Sequence, residues 1–209
     1  MAFTFFFRDL HMLELIVQHV VPSMAGQNRP RIWDAGCAMG QEAYSLAILF
    51  AENMGYFGFN NLRIQATDVD ESGQFGQIVA AGVYPEGELE RMPSHLRQKY
   101  FERADLPGSL RVKQAVRERV SYRTHDLLSL DPIGEGFNLV VCKNVLLHFQ
   151  ADQRIEVIKM FHRALAPAGY FATEQTQKLP EETAELFEQV AADGQLFRKV
   201  KAADASHSA

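Results

Sequence analysis

At 209 residues with 47% apolar side chains, the chain can build one substantial core, whereas two domains would be cramped. Its 26 acidic against 21 basic residues give a formal charge of -5, which opposes a nucleic-acid backbone, and no apolar run approaches the roughly 18 residues of a membrane span. Cys37 and Cys142 are too few for a disulfide framework and stand in no closely spaced Cys/His cluster, so neither a disulfide scaffold nor structural zinc is expected.

The first twenty residues hold Arg8, Asp9, His11 and Glu14, which do not suit a secretory leader, so a cytoplasmic location is the simplest expectation. Phe3 to Phe7 is aromatic and reads as a set of core anchors, with Arg8 a surface cation. Asp9 to Val21 predicts a helix with Leu10, Leu13, Val17 and Val20-Val21 on its apolar face, ended by Pro22. Gly26 to Pro30 is a linker. Arg31 to Trp33 predicts a buried strand ending near Ala35, and Glu42 to Met54 a helix through Ala43, Leu46, Ala47, Phe50 and Met54. Gly55 to Asn61 reads as a helix exit and turn. Leu62 to Thr67 predicts a second strand that leads into Asp68-Val-Asp70 and closes a first βαβ half.

Glu71 to Ala81 predicts a helix, and Gly82 to Glu90 a turn-rich connector. Between Met92 and Glu118 the breaks at Pro93, Pro107 and Gly108 leave room for a small inserted hairpin within residues 93–123. Arg111, Lys113, Arg117, Arg119 and Arg123 form the one concentrated basic stretch, which reads as a solvated surface. Val120 to Thr124 and Phe137 to Cys142 predict two more strands, followed by a helix over Gln150 to Leu165. Tyr170 to Thr173 is a further strand, Pro180-Glu181 begins a helix through Leu186 and Val190, and Leu196 to Val200 is the last strand. The expectation is a single domain over residues 1–201, with residues 202–209 a flexible tail.

Alternating strand and helix signals predict a largely parallel α/β sheet with helices on both faces, whose ligands collect outside the carboxyl ends of its strands. Asp34, Asp68, Asp126 and Asn144 all fall at or just beyond those ends. The loop Asp34-Ala-Gly-Cys-Ala-Met-Gly40 lacks the Gly-Lys-Ser/Thr of a triphosphate loop and the full Gly-x-Gly-x-x-Gly of a dinucleotide loop. Its small residues still predict free amide N–H groups around a concave turn. Asp68 suits a pair of ribose hydroxyls and Asp126 an exocyclic adenine amine, a set that fits an uncharged nucleoside better than a pyrophosphate. Asp34 and Asp126 serve equally as caps, Asp68 and Asp70 as solvated loop residues, and Glu42 as a first-turn carboxylate favoured by the helix dipole.

Taken in order, Thr4-Phe-Phe-Phe-Arg8, Ile32-Trp-Asp-Ala-Gly-Cys-Ala-Met-Gly-Gln-Glu-Ala-Tyr-Ser45, Ala66-Thr-Asp68, Gly82-Val-Tyr84, Tyr100-Phe101, Asp126-Leu-Leu128 and Val141-Cys-Lys-Asn-Val-Leu-Leu-His-Phe149 form a far more specific series than the glycines alone. On these residues the chain resembles the catalytic domain of CheR-type chemotaxis receptor methyltransferases from Thr4 to about Lys199, without the helical amino-terminal domain usual there. The resemblance implies a Rossmann-like class I methyltransferase sheet with an antiparallel C-terminal strand, and transfer of a methyl group from S-adenosylmethionine to a glutamate side chain, leaving S-adenosylhomocysteine. By the same resemblance Thr4 and Arg8 cover the cofactor, Arg8 near its reactive end. Gly36 and Gly40 admit the methionine portion, Glu42 receives its ammonium and Asp68 holds the ribose. Asp126 and Leu127 bracket adenine, while Asn144 helps to shape the cofactor or acceptor cleft. The implied acceptor is a chemoreceptor or another signalling protein, with no nucleic-acid partner and no membrane insertion.

The chain departs from the family pattern at Gln41, at Asp126 in place of asparagine, at Lys143 in place of arginine and at His148 in place of tyrosine. Lys143 falls at a cofactor-side position but cannot reproduce a planar bidentate clamp. A glutamate carboxylate is already a nucleophile, so alignment and exclusion of water suffice for its methylation. His148 would therefore orient an acceptor carboxylate or deprotonate a hydroxyl or amine acceptor, unless it bonds the backbone near Asp152. A methyltransferase on some other acceptor, and a noncatalytic S-adenosylmethionine-binding signalling module, stay open as alternatives.

Overall fold

In the computed structural model, which describes residues 4–176 and 178–200, alternate residues of the short apolar strands supply two cores on opposite faces of one sheet. In chain order the elements are α1 (Leu10–Ser23), β1 (Arg31–Ala35), α2 (Gln41–Asn53), α3 (Gly55–Asn61), β2 (Arg63–Asp68), α4 (Phe75–Ala81), β3 (Val83–Pro85), α5 (Ser94–Tyr100), β4 (Phe101–Arg103), β5 (Ser109–Val112), α6 (Gln114–Arg117), β6 (Val120–Thr124), β7 (Phe137–Cys142), α7 (Ala151–Ala164), β8 (Leu165–Thr173), α8 (Glu181–Ala184), β9 (Phe187–Gln189) and β10 (Leu196–Lys199). Turns of 3-10 helix lie at Glu86–Leu89, Leu127–Ser129 and Leu146–His148. Phe3 and the expected tail over residues 202–209 lie outside the described residues.

The main sheet has seven strands in the order β6-β2-β1-β7-β8-β10-β9. Strands β6, β2, β1, β7 and β8 run parallel, and β10 pairs antiparallel with both β8 and β9, so the expected mostly parallel α/β sheet with an antiparallel C-terminal strand is present. Ile32, Ile64, Ala66, Leu139 and Val141 pack with α1 and α2 on one face, while Trp33, Val140 and Phe171 meet Val157, Ile158 and Phe161 of α7 on the other. The strand order reverses direction at β1, between β2 and β7, and such a switch point opens a crevice at the carboxyl ends of the strands. A second sheet, β3-β5-β4, is antiparallel.

Four local expectations are corrected. Pro22 does not end α1 but sits inside its last turn, close enough to the C-terminus that the helix closes at Ser23. Gly55 to Asn61 is the short helix α3, restarted after the positive φ of Gly55 (69°) and anchored by buried Phe59. Helix α4 begins only at Phe75 because Asp70 accepts from the Gln74 and Phe75 N–H groups, at 3.1 and 2.9 Å, and so caps its start. The helix expected through Leu186 and Val190 stops at Ala184, since β10 offers an unpaired edge and Phe187–Gln189 joins it as β9.

His162 of α7 packs edge-on against Phe187 of β9 at 5.3 Å, with Nε2 buried and without a partner among the described residues. Burial first, then Lys199 and Arg163, hold its pKa below the ordinary imidazole value. The folded chain therefore binds fewer protons here than the unfolded chain, and the contribution is complete above about pH 6.5 and is lost as pH falls through the folded pKa. His162→Gln is expected to flatten the decline in urea midpoint between pH 7 and pH 5. An unchanged slope would remove His162 from that account.

Candidate active site

The crevice at the carboxyl ends of the parallel strands is a cleft of about 740 Å³. Thr4, Arg8, Gly36, Glu42, Asp68, Asp126, Leu127, Lys143, Asn144 and His148 all line it, gathered from strand ends and loops far apart in sequence. Aromatic packing explains how the amino-terminal segment gets there. Phe6 is fully buried, edge-on to Tyr84 at 4.9 Å and to Phe101 at 5.4 Å, and the Phe7 N–H donates to Ser45 Oγ at 2.9 Å. Anchoring Phe6 and Phe7 to the small sheet and to α2 carries Thr4 and Arg8 to the rim of the cleft.

The glycine loop works differently from the sequence-based expectation. Its amides are consumed within the protein: the Gly36 and Cys37 N–H groups both donate to Thr67 O, at 2.7 and 3.0 Å, and the Ala38 N–H donates to Asp68 Oδ2 at 2.9 Å. These three amides are therefore not free for an anion, in keeping with the lack of a triphosphate signature. Gly36 has φ 97°, and a Cβ on it would lie 2.2 Å from Val145 Cγ2, so only glycine lets the loop after β7 close over the end of β1. Gly40, with φ 90°, stands apart from the cleft lining, and a Cβ there would meet Val79 Cγ2 at 2.7 Å, so its small size serves packing against α4. Gln41 likewise turns away, donating to Glu88 Oε2 at 2.8 Å.

Asp34 also stays out of the cleft lining, fully buried beneath it, and no protein donor reaches either carboxyl oxygen among the described residues. Burial first and then Glu42 raise its pKa well above the ordinary carboxyl range, with Lys143 opposing. Glu42 is bonded to Lys143 Nζ at 2.9 Å, and the same ammonium lies 3.8 Å from Asp9 and donates to the Arg8 carbonyl at 3.4 Å. The Lys143 side chain is 1% exposed. Burial lowers its pKa, but Glu42 and then Asp9 and Asp34 outweigh that and hold it above the ordinary lysine value.

At the other carboxylates the backbone takes part of the capacity and leaves the rest. Asp68 accepts from Ala38 and, at 3.3 Å, from the Asp70 N–H, so both oxygens are oriented at the mouth of the cleft. Asp126 accepts from the Leu128 N–H at 2.8 Å through Oδ1, so it caps the Leu127–Ser129 turn while also lining the cleft. Asn144 stands at φ 60° with its N–H donating to buried Glu174 at 2.9 Å, and Thr173 Oγ1 donates to the same oxygen at 2.8 Å. Arg154 donates to Leu146 O at 3.3 Å behind the turn that carries His148, whose exposed side chain stands at the lip of the cleft.

Sequence reasoning missed Val69, His125, Phe149 and Glu174. Val69 follows Asp68 directly and is a half-exposed apolar residue lining the cleft. Glu174 follows β8 as Asn144 follows the neighbouring β7, and the strand-end rule that picked out the other acids would have reached it.

The family described as CheR methyltransferase, SAM binding domain, matches residues 2–195. The chain is 37% identical over 190 residues to chemotaxis protein methyltransferase 1 of Pseudomonas aeruginosa, covering 85% of this chain and 68% of that protein. It is 34% identical over 190 residues to a chemotaxis protein methyltransferase of Pseudomonas putida, covering 85% and 67%, and 27% identical over 194 residues to a probable chemotaxis protein methyltransferase of Rhizobium etli, covering 90% and 72%.

Proposed function

The chain belongs to the CheR methyltransferase family and is an S-adenosylmethionine-dependent protein-glutamate methyltransferase; from that premise we propose which residues hold the cofactor and which shape the acceptor side. The residues present fit the cofactor. An orphaned buried carboxyl at Asp34, beside Glu42, suits a cationic group, and Asp68 presents two oriented oxygens to a diol. In this assignment Glu42 receives the ammonium, Asp68 the ribose hydroxyls, and Asp126 with Leu127 the adenine, over Val69. When bound, S-adenosylmethionine supplies an electrophilic methyl group on a sulfonium. The protein's own part is orientation and water exclusion: Thr4 and Arg8 cover the cleft, and Asn144, held by Glu174, sets the acceptor wall.

The observation that carries the assignment is the meeting of Glu42 and Asp68 in one cleft, where the Gly36, Cys37 and Ala38 amides are engaged within the protein. Calorimetric titration with S-adenosylhomocysteine tests it. Asp68→Asn keeps the shape and removes the charge, and is expected to weaken binding about 10- to 100-fold, the range for hydrogen bonds to an ionised acceptor. Equal affinity in a folded variant would take Asp68 out of the ribose site.

The acceptor proposed is a glutamate of a chemoreceptor or related signalling protein, and the reaction is placed in the cytoplasm. Among the described residues no helix is long and apolar enough to cross a membrane. Transferred label released as methanol under mild base would identify a carboxyl ester. Base-stable label would favour a hydroxyl or amine acceptor, with His148 at the lip as the proton acceptor.

A further inference from the structure

Asp34 ends up in the middle of a charge imbalance. The groups around it are Glu42 on α2, Lys143 after β7 and Asp68 at the end of β2, with the thiols of Cys37 and Cys142 close by. Beyond Lys143 stands Asp9. Among the described residues the buried Lys143 ammonium faces Glu42, Asp9 and Asp34, and its carboxylate bond goes to Glu42. Asp34 itself has no solvent exposure, and neither of its oxygens accepts from a donor among the described residues. An ionised carboxylate in such a place is strongly disfavoured, whereas a neutral acid has a partner at hand, because its O–H can donate to Glu42.

We propose that the cofactor binds in exchange for a proton: its α-ammonium replaces the proton held between Asp34 and Glu42, and one proton is released to solvent. The Asp34 O–H bond breaks, its electron pair stays on the carboxyl oxygen, and the proton passes to water, so charge is conserved as the incoming cation takes over the pair. This rests on the placement of the cofactor's amino-acid end at Glu42. The Lys143 charge works against the proton on Asp34, but burial and Glu42 outweigh it, and the ammonium makes its bond to Glu42 and leaves Asp34 without a donor. Apparent affinity then rises with pH, by up to about tenfold per unit, while the pair is protonated in the free protein, and levels off above that range.

The test is titration of the full chain with S-adenosylhomocysteine at pH 7 in phosphate, imidazole and Tris, whose different ionisation heats report the protons released. Net proton release is expected, approaching one per cofactor where Asp34 is protonated in the free protein, together with an affinity that rises with pH over that range. Asp34→Asn has no proton to give up, so both the release and the pH slope are expected to vanish. His125 and His148 line the same cleft and are the other proton carriers there; release that persists in Asp34→Asn belongs to them and overturns the proposal. Should that variant fail to fold, the wild-type buffer series decides alone, because zero release overturns the proposal as well. An absence of binding is a separate result, which removes the cofactor placement and the proton exchange with it.

Discussion

Lys143→Met is expected to lower stability at pH 7 by about 3–5 kcal/mol, the usual cost of removing one partner of a buried ion pair. Methionine fills a similar volume with a flexible apolar chain, so the loss is electrostatic rather than a cavity. What remains is Glu42 and Asp34 in a site where the Lys143 side chain was 1% exposed, and the Arg8 carbonyl without its donor at 3.4 Å. The pH dependence separates this cause from a packing defect. With the cation gone, the native state holds a proton that the unfolded chain has already lost near neutrality, so the deficit should shrink as pH falls from 7 to 5. Pairing Lys143→Met with Glu42→Leu removes both charges and should recover most of the loss, since apolar replacement of a whole buried pair is often neutral. Urea unfolding at both pH values measures all three. A single variant within about 1 kcal/mol of wild type would mean that water reaches the pair and that the dry cluster described above is wrong.

Gly36→Ala is the second large effect, about 2–5 kcal/mol, from two separable sources. A φ of 97° is strained for any residue with a side chain, at about 1–2 kcal/mol, and the new Cβ would sit 2.2 Å from Val145 Cγ2, an overlap that the loop after β7 must relieve by moving. That movement displaces Asn144 and the cleft wall behind it, so cofactor affinity should fall along with stability. Val145→Ala takes away the Cγ2 atom and should restore the steric part in the double variant, leaving the dihedral part. A double-mutant cycle by denaturant melts tests this. If Val145→Ala rescues nothing, the glycine is required for its backbone angle alone.

The two predictions rest on contacts that differ in how legible they are from residues alone. The strands Val120–Thr124 and Phe137–Cys142 could be read with their observed bounds, because alternating Val120, Tyr122 and Thr124 and the apolar run Leu139–Cys142 are local strand signals. The strand ends could then be read too, and Asp68, Asp126 and Asn144 follow from them. Thr4 and Arg8 have no such signal. Their place depends on Phe6 meeting Tyr84 and Phe101, contacts across most of the domain that no periodicity encodes, and it reached the sequence reading only through the resemblance. The edge strand β9 was misread for a related reason: the segment after Pro180 carries a helical pattern, but an open sheet edge beside it outweighs weak local preference.

The sequence by itself determined the α/β class, the family and the donor half of the chemistry, since those rest on local patterns and an ordered series of motifs. Only in the folded chain do the Gly36, Cys37 and Ala38 amides find acceptors within the protein, does Gly40 pack against α4, and does Lys143 bond Glu42 above an orphaned Asp34. The physical reason is burial. A carboxyl or an ammonium in a sequence has an ordinary charge, and only the removal of water and the choice of neighbours settle which groups pair and which must hold a proton.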